Sequence, residues 1–189
     1  EYSALLCANA LSFQDSLHLL FERGKFMQEA VPEGKGGMLA ILGVHIEEIN
    51  DYILQVKSNG ICEVANDNAQ GQIIISGNIE PIEELKSILK SNKKKCIPIP
   101  VSAPFHCSLM NNAAIKMKEK IDIVNFIKPA FEIISNVTAL PVNSPVDIKK
   151  FLVQQIYSKV RWRESVVFMG EKKINDFIEI GPGKVLTGL

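Results

Sequence analysis

The residue with the clearest chemical potential in this sequence is Arg23, which lies on the apolar face of a helix predicted over residues 13–30. Apolar side chains recur at spacings of three and four residues and share a stripe with Arg23: Phe13, Leu17, Leu20 and Met27. A guanidinium keeps its charge and is costly to bury without an anion. Two interpretations stay open. One is an internal salt bridge or an arginine that buries only its stem, and the other is a bidentate clamp on a substrate carboxylate.

His106 is the second candidate, in a proline-stiffened loop between a predicted strand and a predicted helix. Catalytic groups of α/β proteins concentrate at such strand ends. A histidine that is satisfied by a backbone carbonyl in a rigid loop is the structural alternative. Cys107 is interpreted as a packing residue, because adjacent side chains of an extended segment point to opposite faces. His18 and His45 are interpreted as surface or cap residues.

Two further segments carry weaker signals. The run from Glu179 to Leu186, which contains Gly181-Pro182-Gly183, could hold an anion at its amide groups. It lacks the spacing of a phosphate-binding or dinucleotide-binding loop, so a structural turn is the better interpretation. The run Lys93-Lys94-Lys95 is most simply a solvated turn.

Composition excludes several function classes. With 21 Lys and Arg against 21 Asp and Glu in 189 residues, no overall field recruits nucleic acid or an anionic membrane surface. No apolar run approaches the roughly 20 residues that span a bilayer. The four cysteines form no CxxC or Cys/His cluster, which argues against disulfides and zinc and favours a reducing compartment.

The order of elements predicts an inserted small subdomain over residues 36–101. Strands are predicted at 38–44, 61–65, 72–76 and 96–101, helices at 46–56 and 79–89, and a turn-rich loop at 66–71. The resulting βαββαβ order is that of the ferredoxin-like fold.

Residues 1–35 and 102–189 are predicted to form a large α/β subdomain. Helices at 109–121, 148–157 and 162–169 alternate with strands at 131–135 and 176–180, as in a parallel sheet. The opening residues 1–8 have no initiator Met and read as a helix already under way, so we expect the polypeptide to begin earlier, with the first strands of this subdomain upstream.

Several ordered motifs resemble malonyl-CoA:acyl carrier protein transacylases of type II fatty-acid synthesis, and the resemblance covers essentially the whole chain. The motifs are Glu1-Tyr2-Ser3-Ala4-Leu5, the run from Arg23 to Pro32, Asn66-Asp67-Asn68, the run from Val101 to Cys107, Ser135-Asn136-Val137 and the run from Gly181 to Leu186. The implied fold is an α/β-hydrolase-like large subdomain, incomplete here, with the inserted ferredoxin-like small subdomain.

The resemblance implies a ping-pong acyl transfer and assigns roles to five residues. His106 corresponds to the catalytic base, and the backbone carbonyl of Gln155 to the group that orients it. Arg23 corresponds to the arginine that pairs with the malonyl carboxylate. Phe105 resembles the malonyl-selecting version of the loop, and Met27 would line the pocket.

The resemblance also implies that the nucleophile lies upstream. In the family a Gly-His-Ser-Leu-Gly elbow immediately precedes the Glu-Tyr-Ser-Ala motif that opens this chain, so the sequence is expected to be the C-terminal part of such an enzyme. Ser3 lies downstream of the elbow and is not the nucleophile. We therefore expect these residues alone to be inactive, because nucleophile and oxyanion hole usually dominate acyl transfer.

The implied substrates are malonyl-CoA and acyl carrier protein, which carries the phosphopantetheine; no cofactor, metal, nucleic acid or membrane partner is expected. A monomer in the bacterial cytoplasm or a plastid-type organelle is predicted. The lysine run at 93–95 is a weaker candidate for docking the acidic carrier protein. Three alternatives stay open: a serine hydrolase or thioesterase, an acyltransferase domain of a larger synthase, and a catalytically inactive ferredoxin-like binding fragment.

Overall fold

The small subdomain is a four-stranded antiparallel sheet with two helices, seen in a computed structural model that describes residues 1–181 and 183–189. Its strands and helices follow in the predicted order: β1 (Gly36–Leu42), α3 (Ile46–Ile53), β2 (Cys62–Ala69), β3 (Gln72–Asn78), α4 (Ile79–Ser91) and β4 (Lys95–Ile99). The strand order is β2-β3-β1-β4, with all neighbours antiparallel. This is the arrangement of a split βαβ fold, as predicted.

One face of this sheet forms a core with the two helices. Alternate residues of β1 and β3 point to that face, because side chains of a strand alternate in direction. The fully buried members include Leu39 and Ile41 of β1, Ile73 and Ile75 of β3, Ile49 of α3 and Leu85 and Leu89 of α4. The sheet thereby gains the hydrophobic face that it needs for stability.

The predicted loop at residues 66–71 is wrong. Strand β2 continues to Ala69, and only the tight turn around Gly71 separates it from β3. Polar residues such as Asn66 and Asp67 suggested a turn. They are held in the strand instead, because β2 pairs with β3 through two register shifts and bonds to Val160 on its other edge.

The remainder of the chain is mainly helical. Its helices are α1 (Tyr2–Cys7), α2 (Phe13–Glu29), α5 (Asn111–Asp122), α6 (Pro145–Gln154) and α7 (Trp162–Glu171), with 3-10 turns at Ser108–Met110 and Leu186–Gly188. Helix α2 begins at Phe13, as predicted, and the hydroxyl of Ser12 caps it by accepting a hydrogen bond from the amide of Asp15. Helix α6 begins earlier than predicted, because Ser144 caps it and Pro145 occupies its first turn.

The predicted parallel strands of this part are not formed. Residues 176–180 have no regular structure, although all five are described, and the strand predicted at 131–135 is reduced to β5 (Ile133–Ile134), which pairs antiparallel with β6 (Pro141–Val142). A strand needs a neighbour to satisfy its amide and carbonyl groups. Among the described residues, no strand lies beside 176–180 to supply one.

The apolar stripe predicted for α2 is wrong at three of its four positions, although Arg23 does lie on the buried face. Phe13, Leu17 and Leu20 are exposed, whereas Ser16, Leu19 and Met27 are buried. Helix α2 carries apolar residues on more than one side, and its packing against α5 selects the side that contains Ser16, Leu19 and Arg23.

The core is divided into two clusters. One draws its residues from 39–89, and the other from 2–31 and 103–156. The division into subdomains 1–35 with 102–189 and 36–101 stays a prediction, which this separation of the core supports.

No helix in the described part of the chain is both long enough and apolar enough to cross a bilayer.

Candidate active site

His106 is held by the backbone of the segment that follows α6. Its Nδ1 atom lies 2.9 Å from the carbonyl oxygen of Gln155. A carbonyl oxygen can only accept, so Nδ1 carries the proton and donates it. In the neutral ring Nε2 then has a free lone pair, which is the form a general base requires.

The loop holds His106 in an unusual backbone conformation. Its φ angle is 58°, in the left-handed region that side chains with a Cβ adopt at a cost of about 1–2 kcal/mol. Neighbouring groups fix the loop: the thiol of Cys107 donates to the carbonyl of Pro104 at 3.2 Å, and the hydroxyl of Ser76 lies 3.6 Å from the same sulfur. Backbone strain that is fixed by its surroundings concentrates at functional sites. Cys107 itself is fully buried, in agreement with its predicted packing role.

Arg23 reaches the same region from α2. Its positive charge lowers the pKa of His106, of Tyr2 and of Glu1. Among the described residues, the Nε atom of Arg23 and the hydroxyl of Tyr2 are buried and have no hydrogen-bond partner. A buried guanidinium nitrogen without a partner is costly, so the site favours an anion at this point.

Burial and the neighbouring cation set the protonation of His106. Burial lowers the pKa of the imidazole below its usual value, and the charge of Arg23 lowers it further, while the backbone groups of Gln155 and Ser158 raise it. Burial likewise lowers the pKa of Arg23, opposed by Tyr2 and Glu1, and raises the pKa of Tyr2 to about 12. The site therefore holds a neutral histidine and a neutral phenol beside a guanidinium.

Glu1 supports the group that orients His106. Its carboxylate accepts hydrogen bonds from the side-chain amide of Gln155 and from the backbone amide of Asn136. Burial raises the pKa of this carboxyl, and the amide of Asn136, the hydroxyl of Ser135 and the charge of Arg23 oppose that rise. Gln155 is thus fixed through its side chain while its backbone carbonyl contacts His106.

The two predicted pocket residues lie in or against the larger core cluster. Met27 is buried within it, and Phe105 is half-buried and packs against it. The roles assigned to Met27, Phe105, Arg23, His106 and Gln155 stay proposals.

In the described part of the chain, no hydrogen bond or salt bridge joins the weaker sequence candidates to His106, Arg23 or Gln155. His18 is exposed on α2, and His45 precedes α3 without a capping hydrogen bond from its side chain. Lys93 turns the chain with a φ angle of 56°, and Lys94 pairs with Glu48 at 2.6 Å. Within the run 179–186, Pro182 lies outside the described residues; the carboxylate of Glu179 accepts from the amides of Leu186 and Thr187.

Several residues around the site were not foreseen as functional. Glu1, Tyr2 and Asn136 belong to motifs that carry the resemblance, yet no pattern of spacing pointed to their contacts. Glu63 and Ser108 were not singled out at all. Their partners are distant in sequence, and only the folded chain brings them together.

Comparison with known proteins decides the family, because residues 1–188 match the acyl transferase domain. The chain belongs to this acyl transferase family. The malonyl CoA-acyl carrier protein transacylase of Bacillus subtilis is 44% identical over 191 residues, which cover 100% of this chain and 60% of the relative. The suspected resemblance is therefore confirmed.

Solved structures of acyl transferases agree. The malonyl CoA-acyl carrier protein transacylase of Coxiella burnetii is 36% identical, with a TM-score of 0.97, over 100% of this chain and 60% of that one. A malonyl-transacylase in complex with its type II PKS acyl-carrier protein is 40% identical, with a TM-score of 0.96, over 100% of this chain and 61% of its own length. The likeness confirms the α/β class with two subdomains. The acyl transferase chain spans about 60% of the length of the relatives it matches.

Proposed function

We propose that this chain forms part of a malonyl-CoA:acyl carrier protein transacylase in which His106 is the general base and Arg23 binds the malonyl carboxylate. The observation that carries the proposal is the hydrogen bond from His106 Nδ1 to the carbonyl of Gln155, together with Arg23, whose buried Nε has no partner among the described residues and whose charge lowers the pKa of His106. The carbonyl replaces the acid of a Ser-His-Asp triad: it fixes the tautomer and places no second negative charge in the site. The names of the relatives support the substrate and the acceptor.

The proposed chemistry is a double displacement. Nε2 of His106 removes the proton of a serine hydroxyl while the serine oxygen forms a bond to the thioester carbon. The C–S bond then breaks, and the CoA sulfur takes the proton from the imidazolium. In the second half the phosphopantetheine thiol of the carrier protein gives its proton to His106, the sulfur attacks the malonyl-serine ester, and the serine oxygen leaves with that proton.

Arg23 favours a carboxylated acyl group over an uncharged one. A planar guanidinium matches a carboxylate with two parallel hydrogen bonds, and such pairs are strong where water is excluded. A serine hydrolase that acts on uncharged esters has no use for a buried cation in the acyl pocket. Phe105, beside the base, is the proposed residue that favours malonyl over bulkier acyl groups.

We further propose that the nucleophilic serine lies outside these 189 residues. No Gly-X-Ser-X-Gly elbow occurs in the sequence, and each of its serines lacks a glycine two positions earlier. The chain alone is then expected to form no acyl-enzyme. A monomer, and a location in the bacterial cytoplasm or a plastid-type organelle, stay predictions; the named relatives with a stated organism are bacterial.

Intact-protein mass after mixing with malonyl-CoA tests the function. The natural protein that contains this chain should gain one malonyl group, and His106→Ala should form the adduct about 100- to 10,000-fold more slowly. The 189 residues alone should gain none. An unmodified but folded natural protein would contradict the transacylase and favour a binding module, and an adduct on the 189 residues would contradict the external serine.

A further inference from the structure

Glu63 connects the small subdomain to the loop that carries His106. It lies on β2, and its carboxylate accepts two hydrogen bonds from Ser108: one from the backbone amide at 2.8 Å and one from the hydroxyl. Ser108 is two residues after His106 and opens the 3-10 turn that leads into α5. The first amides of a helical segment lack partners within it, so the carboxylate satisfies a donor that would otherwise be free.

The contact fixes one end of a strained segment. His106 has the left-handed backbone, and Cys107 is extended with φ −138° and ψ 172°. Ser108 follows, and its hydrogen bond to the carboxylate of Glu63 connects the segment to β2. On the other side, Pro104 packs so closely on Gly36 of β1 that a Cβ there would lie 2.4 Å from the proline ring. The sheet thus holds the loop on both sides of His106.

We propose that Glu63 is a positioning residue for the general base: through Ser108 it keeps His106 in the conformation in which its ring contacts Gln155. The inference rests on the function proposed above and deepens it, since it makes the ferredoxin-like subdomain part of the catalytic machinery. Loss of the carboxylate frees Ser108, and the loop relaxes toward an ordinary backbone conformation. The imidazole then moves away from the serine proton, and a displacement of about 1 Å can cost about 100-fold in rate.

The chain contains a matched control in Glu84 of α4. Its carboxylate makes the same kind of contact with Ser58, from the amide at 2.8 Å and the hydroxyl at 2.5 Å, and accepts a third bond from the amide of Lys57. Both glutamates therefore hold a serine and a loop of the chain. Only Glu63 holds the loop of His106.

The test compares Glu63→Ala with Glu84→Ala in the natural protein. We expect Glu63→Ala to slow acyl-enzyme formation about 10- to 100-fold with the KM for malonyl-CoA within about twofold of wild type, because Arg23 is untouched. Glu84→Ala should change the rate less than about threefold, with a similar loss in melting temperature. Glu63→Gln should recover most of the rate, because its amide oxygen accepts from the Ser108 amide and its NH₂ donates to the hydroxyl.

Three results would overturn the proposal: equal rates for the two alanine variants, a loss that falls on KM, or no recovery in Glu63→Gln. The imidazole NMR signals of His106 provide a readout independent of turnover, and Glu63→Ala should shift them while Glu84→Ala does not. If wild type forms no acyl-enzyme, the transacylase proposal fails, and these signals still decide whether Glu63 positions the ring.

Discussion

At the scale of single residues, the site places a neutral base beside a fixed cation. A protonated imidazole is disfavoured at this position, because burial and the charge of Arg23 both oppose a second positive charge. His106 is therefore kept unprotonated, and its accepting nitrogen is Nε2 because Nδ1 donates to Gln155. An imidazole that is already free of its proton at neutral pH is what the proposed attack of a serine on the thioester requires.

The pH dependence of acylation follows from this environment. Because the pKa of His106 is lowered, the neutral base persists below pH values of about 6.5, the ordinary value for histidine. Single-turnover acylation of the natural protein should lose half its rate at a pH below about 6.5. A midpoint above that value would contradict a buried histidine next to a cation.

Two variants separate the proposed role of Arg23 in specificity from its effect on the pKa of His106. Arg23→Lys keeps the charge but loses the planar fork, whereas Arg23→Ala loses both. We expect both variants to lose about 10- to 100-fold of their preference for malonyl-CoA over acetyl-CoA, the equivalent of about 1.5–3 kcal/mol for a charged hydrogen bond. Only Arg23→Ala should also raise the pH midpoint of acylation, because only it removes the charge that lowers the pKa of His106.

Stability should depend on the same histidine. The folded-state pKa of His106 lies below its unfolded value, so the unfolded chain binds more protons as the pH falls. The contribution of the neutral ring is complete above about pH 6.5 and is lost as the pH falls through the folded-state pKa. In urea titrations, the free energy of unfolding of wild type should exceed that of His106→Gln by more at pH 7.5 than at pH 5. A difference in the free energy of unfolding that grows toward low pH would contradict a lowered pKa of His106 in the folded state.

The residues of the site were only partly predictable from the sequence. Arg23 was found because a charge on an apolar helix face is conspicuous even when the face is misjudged, and His106 because the loop around it is stiffened by prolines. The Gln155 contact followed from the family resemblance alone, since a backbone carbonyl leaves no trace in residue type. Glu63 was not singled out, because it is one residue of a predicted strand and belongs to no motif. Its proposed role depends on a partner 45 residues away.

At the scale of elements, two glycines next to the site have opposite constraints. A Cβ on Gly36 would meet the ring of Pro104, which cannot move without shifting the loop of His106. A Cβ on Gly24, in α2, would have no neighbour within 4 Å. Gly24 therefore does not mark a close approach of another backbone to α2.

The two corresponding alanine variants should change the stability of the protein in opposite directions. Gly36→Ala should destabilise the natural protein by about 1–3 kcal/mol, because it overpacks a rigid contact. Gly24→Ala should stabilise it by about 0.5–1 kcal/mol, because alanine lowers the entropy of the unfolded chain and favours a helix. Urea midpoints measure both. Equal effects of the two substitutions would contradict the contacts described for Gly36.

Element prediction succeeded where local pattern and pairing agree. The small subdomain was predictable because its alternating apolar strands and its two helices complete a sheet within 36–101. Residues 176–180 carry an equally good strand pattern, but a strand forms only when a neighbouring strand pairs with it. The loop predicted at residues 66–71 was wrong for the converse reason. The polar residues there favour a turn, but pairing on both edges of β2 outweighed that preference.

At the scale of the whole molecule, the two core clusters are joined at the edge of β2. The amide of Asp67 donates to the carbonyl of Val160 at 2.9 Å, and the amide of Val160 to the carbonyl of Ala65 at 2.8 Å. Two residues into α7, the guanidinium of Arg163 forms a forked ion pair with the buried carboxylate of Asp67, with contacts of 2.6–3.1 Å. The sheet that holds the loop of His106 is thus itself anchored to the helical part of the chain.

This anchor predicts a large effect from a residue remote from the reacting atoms. Arg163→Ala leaves Asp67, which is 1% exposed, as a buried carboxylate without its cation. Breaking a fully buried pair costs about 3–5 kcal/mol, and because the Arg163 side chain is 38% exposed we expect about 2 kcal/mol. Lys118→Ala is the control, since it removes an exposed pair with Asp122 and should change stability by less than about 0.5 kcal/mol. Equal urea midpoints for the two variants of the natural protein would mean that the forked pair does not hold α7 to the sheet.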